Sequence, residues 1–334
     1  MKDRIRAFMV SGAGRNEAAF DALALALCAW QRARNADYAA ICGDARPRSW
    51  REIPAVPVGL FRDLALTCFP ATDARIVFRT SGTTTGARGV HRLLDTEIYD
   101  LGARLAAVAV VGPIPAGGIS LVNHDPDSSL GHMALDFAPG LVPFFSSGSG
   151  LDRAGALAAL RGAREPVFVP ATSFAMADLL TPLGEPPEAP IPLPPGSVVM
   201  ITGGYKGKVR TLSEEALLRR IAVSFPGAVV VGEYGMTELS SQLWAAPLGA
   251  PYQPPLWMRV LAVDPATGEP AAEGQLRFFD LANHSTVLAI ETQDLGVVLG
   301  DGRVVLRGRL PAATARGCSL TVEEASTRSG APLG

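Results

Sequence analysis

Hydrophobic residues recur at two different periods along this chain, and the change of period divides it. Residues 17–34 place Phe20, Leu23, Leu27 and Trp30 at helical spacing, which predicts an amphipathic opening helix. A proline-punctuated stretch follows, Trp50-Arg-Glu-Ile-Pro-Ala-Val-Pro-Val58. Short β-branched runs then alternate with helical segments. The runs at 76–79, 107–111, 119–122, 167–169, 198–202 and 228–231 predict strands, and those at 96–106, 152–164, 173–180 and 213–223 predict helices. Such alternation implies an α/β fold whose largely parallel sheets are covered by helices. Residues 185–196 hold six prolines and read as a surface connection.

After Pro251 the texture changes. The runs 257–263, 275–279, 287–290, 296–299 and 303–306 follow one another with turn signals at Thr267-Gly268 and Asp301-Gly302, which predicts a C-terminal β-rich subdomain of mainly antiparallel strands. The expected organisation is an α/β core over 1–250, a β-rich subdomain of the same unit over 251–310, and a tail over 311–334.

Composition narrows the class. With 334 residues and 48% hydrophobic content the chain can bury a sizeable core. A formal charge of −2 argues against electrostatic nucleic-acid binding, which needs a basic excess. The apolar runs 22–30 and 105–111 are too short to span a bilayer. Four cysteines, Cys28, Cys42, Cys68 and Cys318, match no zinc spacing or disulfide framework. Together with an N-terminus lacking the pattern of a signal peptide, they imply a reducing, cytoplasmic setting.

Three stretches carry candidate chemistry. In Phe78-Arg-Thr-Ser-Gly-Thr-Thr-Thr-Gly-Ala-Arg-Gly-Val-His91 a strand runs into four hydroxyl residues, Ser81, Thr83, Thr84 and Thr85, interrupted by Gly82 and closed by Gly86 and Gly89. Glycines let backbone approach an anion, hydroxyls and free N–H groups donate to phosphate oxygens, and Arg88 adds fixed positive charge. The plain alternative is a polar surface turn. No Gly-Lys-Ser/Thr ending is present, so this is not a Walker loop. His91, just past the loop, is either an anion contact or a solvated side chain.

In Ala228-Val-Val-Val-Gly-Glu-Tyr-Gly-Met-Thr-Glu238 a buried strand ends at a glycine-flanked turn, the place where α/β folds bind ligands. Tyr234 suits stacking on a flat base, and Glu238 suits a magnesium ion bridging phosphates; the alternative is a helix start capped by Thr237. Third come Glu291-Thr-Gln-Asp-Leu-Gly296 and Leu306-Arg-Gly-Arg309, where Asp294 is either a ribose acceptor or an ordinary turn acid.

In order and approximate spacing these stretches resemble the adenylate-forming superfamily of acyl-CoA synthetases, adenylation domains and luciferases. Residues 80–89 resemble its phosphate loop, Tyr234-Gly-Met-Thr-Glu238 its Tyr-Gly-x-Thr-Glu motif, Asp294-Leu-Gly296 the end of Thr-Gly-Asp-Leu-Gly, and Gly308-Arg309 its hinge-proximal Gly-Arg. Within that superfamily the chain resembles the acyl-protein synthetases of bacterial luminescence operons, the LuxE family. The carrying features are its length, residues 50–58, Gly-Glu-Tyr-Gly-Met-Thr-Glu238 and Arg316-Gly-Cys-Ser-Leu320.

The resemblance implies ATP and Mg2+ as cofactors and a carboxylic acid, of fatty type, as substrate. It implies acyl-AMP as the intermediate and a thiol as acceptor: Cys318, a reductase partner, a carrier protein or CoA. Nucleotide contacts are expected from Ser81, Gly82, Thr83, Thr84, Thr85, Gly203, Gly204, Tyr234, Gly235, Thr237, Asp294 and Arg309, with Glu238 on the metal. Gly203 and Gly204 in Thr202-Gly-Gly-Tyr-Lys-Gly-Lys208 occupy the place of the adenine-binding Gly-Gly loop.

Departures from the pattern are specific. Thr85 and Gln293 stand where the superfamily has Gly, and the Pro-Lys pair of the phosphate loop is missing. The sequence ends about where larger relatives begin a C-terminal domain with a catalytic lysine, and no lysine follows Lys208. Either adenylation proceeds without that lysine, or Lys206, Lys208 or Arg88 supplies the cation. His132 lies where relatives place a His or aromatic near the thiol route; a structural role is the alternative. Cys318, with Arg316 nearby, is the candidate thiolate carrier; the alternative is a buried small residue. Two further functions stay open: a ligase serving an amine or hydroxyl acceptor, and a non-catalytic nucleotide-binding partner of a reductase or carrier complex.

Overall fold

Asparagine caps set the first elements. In the computed structural model, which describes residues 1–80, 88–183, 190–203 and 214–310, the Asn16 side chain accepts from the amides of Ala18 and Ala19 and starts the helix Glu17–Arg32. Phe20, Leu23 and Leu27 are buried along one stripe, as their spacing predicts, and Gln31 is buried with them. A helix over Lys2–Ser11 precedes it, which the periodicity did not single out.

The chain divides into two compact units that interleave along the sequence. One takes residues 1–102, 236–241 and those from 254 onward; the other takes 103–235 and 242–253. The second is built on a six-stranded sheet in the order Leu243–Ala245, Val229–Tyr234, Val198–Thr202, Phe168–Thr172, Gly117–Ser120, Gly140–Pro143. Every pair in it is parallel except the edge pair of Val229–Tyr234 with Leu243–Ala245. Val169, Ala171, Val199 and Ile201 line one face of this sheet and share a core with Leu160, Leu179 and Ile221 of the helices Arg153–Gly162, Ser173–Leu180 and Glu214–Ser224.

The first unit carries the antiparallel strands Met258–Val263, Glu273–Asp280, Ala289–Val298 and Val304–Arg309, with Val56–Pro57 pairing parallel to Ala289–Val298. It also holds a hairpin of Ile76–Arg79 with Val90–Leu93. The expected fold class, α/β with a parallel sheet and a C-terminal β-rich part, is the one observed.

Three local expectations are corrected. Residues 107–111 form no strand: the helix Glu97–Val110 runs through them. Ala106 and Ala107 extend the buried stripe begun by Ile98, Tyr99 and Ala103, and small residues propagate a helix more readily than they start a strand. The runs 287–290 and 296–299 are not two strands around a turn, because Ala289–Val298 is continuous. Its polar residues alternate with the pleat rather than breaking it: Thr292 and Asp294 face inward, Glu291 and Gln293 outward. Third, Val90–Leu93 returns antiparallel to Ile76–Arg79, so the hydroxyl-rich stretch connects a hairpin rather than entering a parallel sheet.

Buried amides tie the first unit together. Gln31 Nε2 donates to the carbonyls of Asn283 (2.8 Å) and His284 (3.3 Å), and its Oε1 accepts from Leu288 N at 3.0 Å. Asn283 Nδ2 donates to the carbonyls of Glu238 (2.9 Å) and Val287 (3.1 Å), while its Oδ1 accepts from Ser240 N at 2.7 Å. Replacing Asn283 by Ala would orphan three backbone groups at a fully buried position. The variant is expected to lose about 2–4 kcal/mol, read from the midpoint of urea unfolding. A midpoint equal to that of the parent protein would remove the clamp from the account.

Candidate functional site

In the first unit the carboxylates of the second and third motifs come together. Glu238 is 4% exposed, and the charges acting on it include those of Asp294, Arg309 and Arg62. Burial pushes its carboxyl up to about 6 from an ordinary 4.5, against the lowering pull of its own backbone amide, Arg62 and Arg309; Asp294 adds to the rise. Asp294 is held in the strand Ala289–Val298, where its Oδ1 accepts from Arg309 Nε at 2.5 Å and its amide donates to Thr292 Oγ1 at 3.1 Å. The pair is cross-strand, with Asp294 opposite Arg309 in the register. The Gly-Arg and Asp-Leu-Gly stretches, far apart as motifs, are thus one structural feature.

The end of the hydroxyl-rich stretch reaches the same place. A Cβ on residue 89 would lie 2.6 Å from Glu238 Oε1, so the glycine lets the carboxylate lie close against this backbone. Gly89 N donates to Thr80 Oγ1 at 3.0 Å, and Arg88 Nε donates to the Thr80 carbonyl. His91 is neither solvated nor an anion contact. It is fully buried, with Nδ1 2.7 Å from the Thr237 carbonyl and its ring edge against Phe61. Burial holds it down at about 4, so it is neutral, and Nδ1 carries the proton it donates to Thr237. The hairpin that brackets the hydroxyl stretch is fastened in this way to the backbone beside Glu238. No helix starts at Thr237, which removes the capping alternative.

The second unit holds the other half of the second motif, since the chain passes between units at Gly235–Met236. Tyr234 ends its strand with its ring edge-on to Tyr252, centroids 6.1 Å apart. Gly203, at φ 78°, follows Val198–Thr202, and its carbonyl accepts from Ser173 Oγ. His132 lies on the helix Ser129–Phe137, not in the unit of Glu238. Ser81, Gly82, Thr83, Thr84, Thr85, Gly204, Lys206, Lys208, Arg316 and Cys318 lie outside the described residues.

Sequence reasoning passed over Glu233, Arg62 and Thr80. Glu233 had a readable signal, a lone carboxylate closing the apolar run Val229–Val231; Arg62 had none. In the structure Glu233 is buried, its carboxyl pushed up to about 7 by desolvation against the hydrogen bond from Thr202 Oγ1.

The residues present fit a magnesium ion brought in by a nucleotide. Among the described residues no cluster of three or more His, Cys, Asp or Glu could hold a metal alone. Mg2+ at phosphates needs less than that, one or two carboxylates together with water and phosphate oxygens. Glu238 is a buried carboxylate whose Oε1 lies close against Gly89.

No family model matches the chain, and no curated protein matches it in sequence. In structure it is similar to 2-hydroxyisobutyryl-CoA ligase in the postadenylation state in complex with R3-HIB-AMP, with a TM-score of 0.68 at 16% identity, covering 89% of this chain and 68% of that one. ATP-bound MatB from Rhodopseudomonas palustris gives 0.50 at 18% identity, covering 72% and 49%. The o-succinylbenzoate CoA synthetase MenE from Bacillus subtilis, in complex with the acyl-adenylate intermediate OSB-AMP, gives 0.50 at 16%, covering 75% and 64%. The chain therefore has the fold of the N-terminal domain of adenylate-forming enzymes, and it spans about half the length of MatB. Among the described residues no helix is long and apolar enough to cross a membrane.

Glu238 also sets a pH dependence. Its raised value means that the folded protein holds the proton more tightly than the unfolded chain. The stability this contributes is complete below 4.5 and is lost as pH rises through about 6. Unfolding free energies of the protein and its Glu238→Gln variant, measured at pH 5 and pH 8, should therefore diverge. The variant is expected to gain on the order of 1–2 kcal/mol relative to the parent at the higher pH. A difference independent of pH would return Glu238 to an ordinary carboxylate.

Proposed function

We propose that this protein activates a carboxylic acid with ATP, forming an acyl-AMP and pyrophosphate, and passes the acyl group to a thiol. The observation that carries this reading is the gathering of Glu238, the Asp294–Arg309 pair and the Gly89 end of the hydroxyl-rich stretch in one unit. The fold, shared with proteins solved with ATP and with acyl adenylates, supports it.

In this reading an oxygen of the acid attacks the α-phosphorus of ATP and pyrophosphate leaves. Ser81 to Thr85 and Arg88 donate to the phosphates, and Asp294 accepts from the ribose hydroxyls while Arg309 holds its carboxylate in place. Glu238 holds Mg2+, whose contribution when bound is to neutralise phosphate charge. Tyr234 stacks on the adenine, with Gly203, Gly204, Gly235 and Thr237 lining the nucleotide. In the second half a thiolate attacks the acyl carbonyl and AMP leaves, giving a thioester. Cys318, a carrier protein, a reductase partner or CoA supplies that thiol, with His132 near its route, while Lys206 reaches a phosphate. A fatty acid is the substrate implied by the luminescence-operon resemblance; the lining of the second unit bears on that choice below.

Pyrophosphate release over a panel of carboxylic acids tests the first half. Glu238→Gln should lower magnesium-dependent release at least about 100-fold, because the amide keeps the shape but not the charge. Asp294→Ala should weaken ATP binding by roughly 10–100-fold, the worth of about 1–3 kcal/mol. Parent-like values in both variants would sink the site assignment.

Intact-protein mass spectrometry after incubation with ATP and a competent acid tests the second half. Cys318→Ser should keep pyrophosphate release and lose a hydroxylamine-labile acyl adduct. The adduct should survive in Cys28→Ser, Cys42→Ser and Cys68→Ser. A thioester on another cysteine would overturn the assignment, and normal adenylation with no adduct on the parent protein would point to a diffusible acceptor.

A further inference from the structure

The two faces of the six-stranded sheet differ at the carboxyl ends of its strands. One is the apolar face that packs under helices. On the other, Thr202, Glu233 and Trp244 stand side by side: Thr202 pairs with Glu233 in the parallel register, and Glu233 with Trp244 in the antiparallel one. Paired residues share a face, and Gln242, two residues before Trp244, falls on the same side.

All four are more than nine-tenths buried, yet their hydrogen bonding is incomplete. Glu233 has one hydrogen-bond partner among the described residues, the Thr202 hydroxyl, which donates to Oε2. Gln242 Oε1 has no donor and Trp244 Nε1 no acceptor among the described residues. Gly235 brings two of these side chains to one point. A Cβ there would lie 2.6 Å from Glu233 Oε1 and 3.4 Å from Gln242 Cγ, so the missing side chain lets the carboxyl and the carboxamide approach the same stretch of backbone. Buried acceptors without donors are costly, and a site so lined is matched by a group that donates.

We propose that this polar cluster receives a hydrogen-bond donor carried by the acid substrate, a hydroxyl or an amine, so that the acid activated is a polar-substituted one rather than a plain alkyl acid. The inference rests on the acyl-AMP reading above and names the substrate class for it. A methylene chain against this cluster would leave Gln242 Oε1 without a donor. Sites built to bond a substrate hydroxyl or amine reject analogues that lack it.

Thermal-shift titrations of the full chain with ATP alone, then with ATP plus acids matched in chain length, test it. The acids end in methyl, hydroxyl or ammonium, and pyrophosphate release is followed in parallel. Hydroxy or amino acids should be preferred over their alkyl counterparts by at least about tenfold in apparent affinity. Glu233→Leu should abolish that preference. Glu233→Gln, which keeps the shape and removes a costly buried charge, should lose tenfold or more for the amine but little for the hydroxyl, which separates the two donors. Preference for the alkyl acid, or a ratio unmoved in Glu233→Leu, overturns the proposal, as does a parent protein stabilised by none of the acids. A parent protein that gives no shift with ATP and no pyrophosphate with any acid overturns the adenylation reading instead, and this inference with it.

Discussion

The candidate site depends on one buried carboxamide. Asn283 satisfies the carbonyls of Glu238 and Val287 and the amide of Ser240 at once, and its own carbonyl is held by Gln31 from the opening helix. The segment 236–241 is neither helix nor strand, so it has no ladder to complete its backbone bonding. Buried polar backbone must be paired, and here side chains do the pairing. Because the same bonds fix the backbone of Glu238, the placement of its carboxylate and the integrity of the first unit are one constraint.

A second feature is the number of carboxyl groups kept out of water. Glu233, Glu238 and Asp280 are all buried, and desolvation raises all three, to about 7, 6 and 7. Asp280 is used structurally: its Oδ1 accepts from Ser241 Oγ and Ala282 N, and Ser241 Oγ in turn accepts from Trp257 Nε1. Glu233 and Glu238 accept from fewer donors, and Oε1 of each lies close against a glycine, whereas Asp280 Oδ2 is buried without a partner among the described residues. The difference between Asp280 and the other two is read from partners, since burial alone does not distinguish them.

Much of the architecture was legible from period and punctuation. The helix Ser173–Leu180 and the strands Ile76–Arg79 and Val198–Thr202 fall at the expected positions, because each is a short, strongly patterned run with clear flanks. Misreadings came where a local signal was ambiguous. An apolar run such as 107–111 suits a strand or a helix equally until its neighbours are packed. A polar stretch such as 291–295 resembles a turn until a partner strand on each side takes its bonds.

By itself the sequence determined the class of fold, the order of the motifs and the residue types available for chemistry, because hydrophobic period and turn residues are local properties of the chain. Tertiary structure decided which residues meet. Nothing in the spacing of Asp294 and Arg309 shows that they face each other across two strands, nor that His91 is sealed under the Thr237 carbonyl rather than turned to an anion. Only the sheet register sets Glu233 between Thr202 and Trp244. Strand pairing and burial are non-local: they depend on which distant segment arrives alongside, and that arrangement sets the charge, protonation and open bonding of each candidate group.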